Sequence, residues 1–191
     1  MTNLIELLRH DFPDINFSPG NTFYWSPLSR TIHYVESSNS NKTKWALLHE
    51  VAHAILNHKS YKNDLELLTM EAIAWQRAQE ISIKYDINID SEHVQNCLDT
   101  YRNWLHMRST CPSCGIRTLQ IKSNHYRCHN CHTEWNVTSA KFCRPYRKIN
   151  SPNKKSPDQL DQVTFVWKIS KLDSFLGTSW NSTTFCTSNS C

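Results

Sequence analysis

Glycine is scarce in this chain of 191 residues, which contains only three. A phosphate-binding loop needs several glycines within a few residues, so the composition excludes the glycine-rich nucleotide-binding classes. Long apolar runs are also lacking, because no stretch approaches the roughly 18 residues that a membrane-spanning helix requires. The first residues, MTNLIELLRHDF, lack the basic start and apolar stretch of a signal peptide. We therefore expect a cytoplasmic protein with no membrane partner.

Acidic residues are nearly absent from one part of the chain. Residues 101–155 carry 11 Lys and Arg but a single Glu, a charge of +10, whereas residues 1–100 carry −5 and residues 156–191 carry −1. The basic block indicates a second module, for which DNA or RNA is one candidate partner. A basic surface that is merely solvated explains the charge equally well, and the sequence leaves both interpretations open.

Hydrophobic residues make up 39% of the chain, which is enough for a folded core, and their spacing predicts the secondary structure. A short amphipathic helix is expected before Pro13. Two stretches rich in aromatic and β-branched residues, 23–26 and 31–35, predict a β-hairpin. Three longer helices follow, and we place them at 45–56, from an N-cap at Asp64 to about Lys84, and from a cap at Asp90 or Ser91 to about Arg108.

The helix predicted at 45–56 contains the sequence HEVAH. At about 100° per residue, His49 and His53 lie one turn apart on one face, so their imidazoles can hold one metal ion. Glu50 is placed to take a proton from a metal-bound water and to return it to a leaving amine. Flanking apolar residues predict a buried helix, in which these polar groups need partners. The pattern indicates a zinc peptidase, and polar side chains that merely pair with neighbours are the alternative.

A catalytic zinc ion has three protein ligands and an open position for water, so one ligand remains to be found. His58 lies nine residues after His49, about 180° round a continuous helix, and no glycine breaks the helix before it. Carboxylates of the next helix, Asp64, Glu66 and Glu71, are better candidates. Glu71 is favoured because the alanines that follow it would let its helix approach the HEVAH helix closely. A solvated surface carboxylate is the other interpretation of Glu71.

The sequence HEVAHAIL, followed by MEAIAWQRA, resembles the ImmA/IrrE-type metallopeptidases. In that family an HExxH motif precedes a helix that carries a Glu ligand ahead of an A-N-x-F-A pattern. Ala74 and Ala78 match the two alanines of the pattern, and Glu71 falls where the ligand aligns. Trp75 and Arg77 stand where Asn and Phe are usual.

This resemblance covers about residues 20–85, including the predicted hairpin. It implies a cytoplasmic endopeptidase, often one that cleaves a repressor. It also implies that His49 and His53 are zinc ligands and that Glu50 is the general base. The identity of the cleaved protein does not carry over from the family.

Four cysteines form two CxxC pairs, Cys111 with Cys114 and Cys128 with Cys131, with 13 residues between the pairs. This spacing is typical of a tetrahedral four-thiolate zinc site, in which the segment between the pairs forms a hairpin. Four thiolates leave no position for a reacting water, so we expect this zinc to be structural. Disulfides or free thiols are the alternative. Unpaired spacing predicts ordinary thiols for the remaining cysteines, Cys97, Cys143, Cys186 and Cys191.

Basic and aromatic side chains are interleaved around this predicted zinc ribbon. Basic groups can track phosphates and aromatic rings can stack on bases, so nucleic acid is a candidate partner. A ribbon that docks protein or only stabilises the fold is equally consistent with the sequence. The pairing of HExxH with a ribbon also resembles SprT-like proteases, which act on DNA-bound proteins and use a third motif histidine. The side chains concerned are Arg108, Arg117, Lys122, Arg127, Lys141, Arg144, Arg147, Lys148, Tyr126, Trp135, Phe142 and Tyr146.

Together these patterns predict an α+β protein in three segments. Residues 1–108 form a zincin-like helical peptidase domain with a small antiparallel sheet, residues 109–149 form the zinc ribbon, and residues 150–191 form a poorly ordered tail. The predicted function is a zinc-dependent endopeptidase with one catalytic and one structural zinc ion. Its substrate would be a cytoplasmic protein, such as a DNA-bound regulator. The alternative is a nucleic-acid- or protein-binding regulator with a vestigial peptidase site.

Overall fold

The computed structural model describes residues 2–36, 40–139 and 146–150. Helices and two small sheets make up this part of the chain, which confirms the mixed α+β class. Within it, no helix combines the length and the apolar character that a membrane crossing requires. The predicted tail lies outside the described residues except for Asn150, and so do Cys143, Cys186 and Cys191.

The helices and the first hairpin lie close to the positions that the sequence predicts, and the described residues form four helices and seven strands. They are α1 (Thr2–Asp11), β1 (Asn16–Pro19), β2 (Tyr24–Ser26), β3 (Thr31–Tyr34), α2 (Asn41–Ile55), α3 (Asp64–Ser82), α4 (Ser91–Ser109), β4 (Gln120–Lys122), β5 (His125–Arg127), β6 (Glu134–Val137) and β7 (Arg147–Ile149). A single turn of 3-10 helix, Ile83–Tyr85, follows α3 directly. Helix α1 ends two residues before Pro13, as expected for a residue that cannot continue a helix.

Two helix starts differ from their predicted positions. Helix α2 begins at Asn41, before the apolar run, because the Ser40 side chain accepts a hydrogen bond from the Thr43 backbone N–H. Helix α3 is capped by Asn63, so the prediction that Asp64 is the N-cap is wrong. Asp64 is instead the first helical residue, and its side chain is buried.

The first sheet is mixed, which corrects the prediction of an antiparallel sheet. Strands β2 and β3 form the expected hairpin, with Trp25 opposite Ile32. Strand β1 joins β3 in parallel and places Phe17 opposite Ile32. The order is β1-β3-β2, so β2 is an edge strand. The sequence gives little sign of β1, because it has one strong β-former and ends in Pro19, which only a sheet edge tolerates.

One hydrophobic cluster joins the first sheet to helices α1–α4. Helix α2 lies at its centre, and every residue of Trp45–His53 is buried. Ala74 and Ala78 of α3 are fully buried, so no large side chain separates their part of this helix from its neighbours. The polar side chains of the HEVAH sequence therefore lie inside the core and not on a solvated helix face.

Strands β4–β7 form a second, antiparallel sheet in the order of the chain. Its small core contains Tyr126 and Trp135, whose rings stack with their centroids 5.5 Å apart, together with Cys111, Cys128 and Val137. We call residues 110–139 and 146–150 the cysteine unit. So small a core contributes little burial by itself and needs a further source of stability.

A buried ion pair connects the cysteine unit to helix α3. Arg108, at the end of α4, lies with its Nε 2.6 Å from Oδ2 of Asp64 and its Nη2 3.2 Å from Oδ1. The same Nη2 donates to Asn124 at 2.7 Å, and the Tyr126 hydroxyl donates to Asp64. The Trp135 indole donates to the backbone oxygen of Arg108 at 3.0 Å. The Arg108 guanidinium and the Asp64 carboxylate therefore find their hydrogen-bond partners inside the protein.

These contacts correct part of the predicted nucleic-acid surface. Arg108, Tyr126 and Trp135 are buried, so none of them can contact a phosphate or a base. The sequence suggests that these side chains are exposed to solvent. Nothing in a basic stretch shows which of its basic or aromatic residues has a buried partner. Lys141, Phe142 and Arg144 lie outside the described residues, and exposed members of the set are Arg117, Lys122, Arg127, Lys148 and Tyr146.

Replacing Leu47 by Ala should lower the free energy of unfolding by roughly 2–5 kcal/mol, because this side chain is fully buried in α2. Leu28, which is 83% exposed in the β2–β3 turn, provides the matched control, and Leu28→Ala should change the free energy by less than about 0.5 kcal/mol. Urea unfolding of the metal-saturated proteins, followed by circular dichroism, measures both. Equal losses in the two variants would contradict the placement of α2 in the core.

Candidate metal centres

Three side chains from two helices converge on one point in the core. His49 and His53 lie one turn apart on α2, and their Nε2 atoms are 3.0 Å from each other. Helix α3 supplies Glu71, whose Oε2 lies 3.2 Å from Nε2 of His49 and 3.8 Å from Nε2 of His53. All three side chains are at most 1% exposed. The structure thus brings together the two histidines and the carboxylate that the sequence favours.

The spacing of these atoms fits a single divalent ion. Nitrogen and oxygen ligands at about 2.0–2.1 Å from a tetrahedral ion lie about 3.3 Å from one another, within the range of the three observed distances. Three buried atoms in or beside the cluster, His49 Nδ1, Glu50 Oε1 and Glu71 Oε1, have no hydrogen-bond partner among the described residues. Buried polar atoms of native proteins seldom lack partners, so unsatisfied carboxylate oxygens point to an ion or a water that completes the site.

The protonation of the cluster also suits a metal ion. Burial and the neighbouring His49 lower the pKa of His53 to about 4, which keeps this imidazole neutral at neutral pH. Burial by itself would raise the pKa of Glu71, but its hydrogen bonds to His49 and His53 outweigh burial and leave the pKa well below its usual value. A neutral imidazole and an ionised carboxylate are the forms in which these side chains bind metals.

Glu50 lies beside the cluster without belonging to it. Its Oε2 accepts a hydrogen bond of 2.8 Å from the backbone N–H of Trp25, in the edge strand β2. Burial, together with the negative charge of Glu71, raises the pKa of Glu50 well above its usual value. The side chain is thus held by one oxygen, and its other oxygen has no partner in the described structure. A carboxylate with a raised pKa is a stronger base than a free one and can accept a proton and return it.

His58 lies close to the cluster, which corrects the prediction that it faces away. Its Nδ1 is 2.8 Å from Nδ1 of His53. That prediction requires a continuous helix, but α2 ends at Ile55, and Asn57 takes a positive φ of 53° in place of a glycine. The reversal of the chain folds His58 back beside His53. If Nε2 of His53 bound a metal ion, His58 would accept the Nδ1 hydrogen of His53 and fix its ring, which is the usual role of a ligand's neighbour.

The other carboxylates considered as ligands have different partners. Asp64 pairs with Arg108. Glu66 accepts a hydrogen bond of 2.6 Å from the backbone N–H of Lys62 at the surface. Neither reaches the histidines, so Glu71 is the carboxylate of the cluster in the described residues.

Trp75 is a neighbour of the cluster that the motifs alone do not predict. Its ring stacks on His49, with the centroids 4.2 Å apart and the planes 24° from parallel. The His93 ring lies edge-on against Trp75 at 5.7 Å. The signal available in the sequence is the spacing, since Trp75 follows Glu71 by four residues and so occupies the same face of α3. These aromatic contacts hold the His49 ring in place.

The four cysteines of the cysteine unit form the second group. Cys111 Sγ lies 3.6 Å from Cys131 Sγ, and Cys114 Sγ lies 3.5 Å from Cys128 Sγ. Four sulfurs at about 2.3 Å from a tetrahedral ion lie about 3.8 Å apart, so the spacing fits a metal and not a disulfide. All four are free thiols. Hydrogen bonds from Thr133, above all that of its hydroxyl, lower the pKa of Cys131 to about 6, which favours the thiolate that binds metals.

Matching backbone turns present the two cysteine pairs. The N–H of Gly115 donates to the Cys111 carbonyl at 3.0 Å, and the N–H of His132 donates to the Cys128 carbonyl at 3.1 Å. Both turn residues have positive φ, 75° and 58°, a conformation that costs glycine nothing and that histidine rarely adopts. The same turn thus forms twice although only the first pair is followed by glycine, which indicates that the cysteine geometry dictates it.

The described residues therefore define a mixed α+β protein with two groups of side chains, each able to hold one metal ion. No protein-family model, no curated protein and no solved structure matches this chain. The chemistry of the two groups must accordingly be argued from the residues themselves.

The purified chain should bind two divalent metal ions, one at each group. His53→Ala and Cys128→Ser should each reduce the content to one, because each removes a ligand from a different group. Glu66→Gln removes a carboxylate that lies on the surface of α3 and should retain both ions. Elemental analysis by mass spectrometry measures the content. A single ion in the parent chain, unchanged in His53→Ala, would contradict the site in the core.

In the metal-free protein, Glu50→Gln should raise the free energy of unfolding at about pH 7. The raised pKa of Glu50 means that the folded chain holds a proton there which the unfolded chain releases above its ordinary pKa of 4.5. The contribution of Glu50 to the free energy of unfolding is therefore fully present below pH 4.5 and is lost as the pH rises. A glutamine does not titrate, so the gain should vanish near about pH 4.

Urea unfolding in the presence of a chelator, repeated across this pH range, measures the effect. Glu80→Gln is the control. The hydrogen bond from Arg77 lowers the pKa of Glu80, so removing the Glu80 carboxylate can only reduce the free energy of unfolding at neutral pH. A Glu50→Gln gain that is equal at both ends of the range would show that Glu50 is not a buried ionisable group.

Proposed function

We propose that this protein is a zinc-dependent endopeptidase whose catalytic zinc is bound by His49, His53 and Glu71. The observation that carries the proposal is the convergence of their three buried ligand atoms within 4.8 Å, with Glu50 buried alongside. Two imidazoles, one carboxylate and an open fourth position are the ligand set of many catalytic zinc sites. The resemblance of HEVAHAIL and MEAIAWQRA to the ImmA/IrrE-type metallopeptidases supports the same assignment.

Within this proposal Glu50 is the general base and then the general acid. His49, His53 and Glu71 would hold the zinc ion, which when bound would lower the pKa of a water and polarise the substrate carbonyl. Glu50 takes the proton with its unpartnered Oε1, while the Trp25 N–H holds Oε2 and so fixes the orientation of the carboxylate. The raised pKa of Glu50 makes it a stronger base for the proton of the water, which it then passes to the leaving amine.

The edge strand β2 supports a peptide as the substrate. It carries Trp25, whose backbone N–H donates to Glu50, so this edge of the sheet lies directly beside the proposed base. An extended peptide can add to such an edge through its backbone, whatever its side chains. The carbonyl to be attacked would then lie next to the zinc. This arrangement favours internal peptide bonds of an extended segment over a small free metabolite.

The cysteine unit would be a zinc ribbon with a structural role. Four thiolates complete the coordination of a zinc ion and leave no position for water. The unit has only a small hydrophobic core, so the metal would supply much of its stability. Free thiols kept for a metal also favour the reducing cytoplasm as the location of this protein.

A regulator that binds nucleic acid through the ribbon, with a vestigial peptidase site, is the second candidate function. Arg117, Lys122 and Lys148 are exposed on the cysteine unit, and its described part contains Glu134 as its single acidic residue. Such a surface can neutralise phosphates. It is less extensive than the sequence suggests, because Arg108 and the two stacked aromatic rings are buried.

Glu50→Gln should abolish peptide-bond cleavage, with a rate reduced by about 10²–10⁴-fold, while the zinc content stays at two ions. Glutamine keeps the shape of the side chain and can still accept the Trp25 hydrogen bond, but it cannot carry the proton. A library of peptides from digested cellular protein, analysed by mass spectrometry, reveals the new chain ends even though the substrate is unidentified. Glu66→Gln is the matched control and should cleave as the parent chain does.

The peptidase proposal is contradicted if the parent chain, with two zinc ions bound, produces no chain end that Glu50→Gln does not also produce. That result would leave the regulator as the leading candidate.

A further inference from the structure

Helix α3 carries two buried carboxylates on one face. Asp64 and Glu71 are seven residues apart, which on a helix is nearly two full turns and about 10 Å along the axis. Their exposures are 2% and 1%, although each carries a charge. Glu71 belongs to the cluster with His49 and His53 in the core. Asp64 pairs with Arg108 and contacts the cysteine unit. A single rigid element thus links the two groups of metal-binding side chains.

Asn63 caps α3, and the first helical residue, Asp64, is held by side chains near the cysteines. The Asp64 carboxylate is bound by Arg108 and by the Tyr126 hydroxyl, and the Asp64 backbone N–H donates to Gln120 at 2.8 Å. Its nearest helical neighbour in the core, Leu67, is fully buried, so this end of the helix cannot turn outward without exposing apolar surface. The position of Asp64 therefore depends on these three partners.

Those partners depend in turn on the four cysteines. Arg108 precedes Cys111 by three residues, and Tyr126 precedes Cys128 by two. Tyr126 and Cys128 are fully buried in the same small core, and the Trp135 indole that completes this core also holds the backbone of Arg108. A metal that draws the four thiolates together fixes this core. Without it, the groups that hold Asp64 lose their common support.

We propose that Asp64 and Arg108 are positioning residues for Glu71, through which a metal ion on the four cysteines strengthens metal binding by His49, His53 and Glu71. The inference rests on the part of the proposed function in which both groups bind metal, and it does not require turnover. If the cysteine unit loosens, a buried Asp64 without its cation must move to water. Because Leu67 keeps α3 in the core, the helix shifts along its packing surface and does not swing outward, and Glu71 shifts from the position in which it completes the ligand set.

The coupling is reciprocal by thermodynamic necessity. If the metal on the cysteines raises the affinity of the core site by some factor, metal at the core site raises the affinity of the cysteines by the same factor. A pair that only stabilised the fold would lower the unfolding free energy when mutated but would leave the affinity of the folded core site unchanged. Affinity, and not stability, therefore separates the two roles.

Asp64→Asn in the full chain tests the proposal, with Glu66→Gln as its matched control. Both substitutions remove one negative charge from the first turn of α3, so any effect of the helix dipole is common to them. Zinc affinity is measured by competition with a chromophoric chelator. Cobalt substitution distinguishes the two sites by their spectra. The thiolate site gives strong sulfur-to-metal charge-transfer bands, and the core site, with nitrogen and oxygen ligands, does not.

We expect Asp64→Asn to weaken zinc binding at the core site by about 10–100-fold, the range found for neighbours that orient metal ligands. Glu66→Gln should leave it unchanged. The double substitution Cys114→Ser and Cys131→Ser, which removes two exposed ligands of the cysteine site, should weaken the core site to a similar extent. The cobalt spectrum of the core site should shift in the same variants and not in the control.

Folded Asp64→Asn with the parent affinity at the core site would overturn the proposal. If Asp64→Asn does not fold, the parent chain decides: a core-site affinity that is equal before and after the cysteines are loaded overturns it, and one that rises on loading supports it. Coupled sites without peptidase activity would contradict the proposed function alone. Uncoupled sites with activity would contradict this inference alone, and a core site that binds no metal would contradict both.

Discussion

The burial of four ionisable side chains between α2 and α3 is the constraint on which the rest of the structure depends. His49, His53, Glu50 and Glu71 are all at most 1% exposed, and charged groups in a core are costly unless each has a partner. The first sheet covers one side of α2 and offers the Trp25 N–H to Glu50. Helix α3 brings Glu71, whose carboxylate contacts both imidazoles. Strand β2 and helix α3 thus both pack against α2 and supply partners for its polar groups.

A second buried charge sets the relation between the two hydrophobic clusters. The bidentate contact of Arg108 with Asp64 joins the end of α4 to the start of α3, and hydrogen bonds with Asn124 and Tyr126 complete it. A buried pair of this kind is costly to break, because either partner alone would be an uncompensated charge. The cysteine unit is therefore fastened to the helices through polar contacts in which its own core residues take part. Arg117, Lys122, Arg127 and Lys148 remain exposed on the cysteine unit.

Much of this arrangement could be predicted from the sequence, because it rests on local periodicity and spacing. The four helices, the hairpin, the pairing of His49 with His53 and the two CxxC turns all follow from residues near one another in the chain. Glu71 could be favoured because small residues follow it. The partners of Asp64 and Arg108 could not be predicted, since 44 residues separate them and a basic stretch gives no sign of which cation is buried. Strand β1 was equally hidden, because its parallel partner is not its neighbour in the chain.

The central claim is that His49, His53 and Glu71 bind a metal ion, and zinc-edge anomalous diffraction from crystals of the zinc-loaded protein tests it most directly. The account predicts two peaks. One should lie about 2.0–2.1 Å from Nε2 of both histidines and from a Glu71 oxygen, and the other about 2.3 Å from four cysteine sulfurs. A peak at the cysteines together with none between α2 and α3, at full zinc loading, would contradict it.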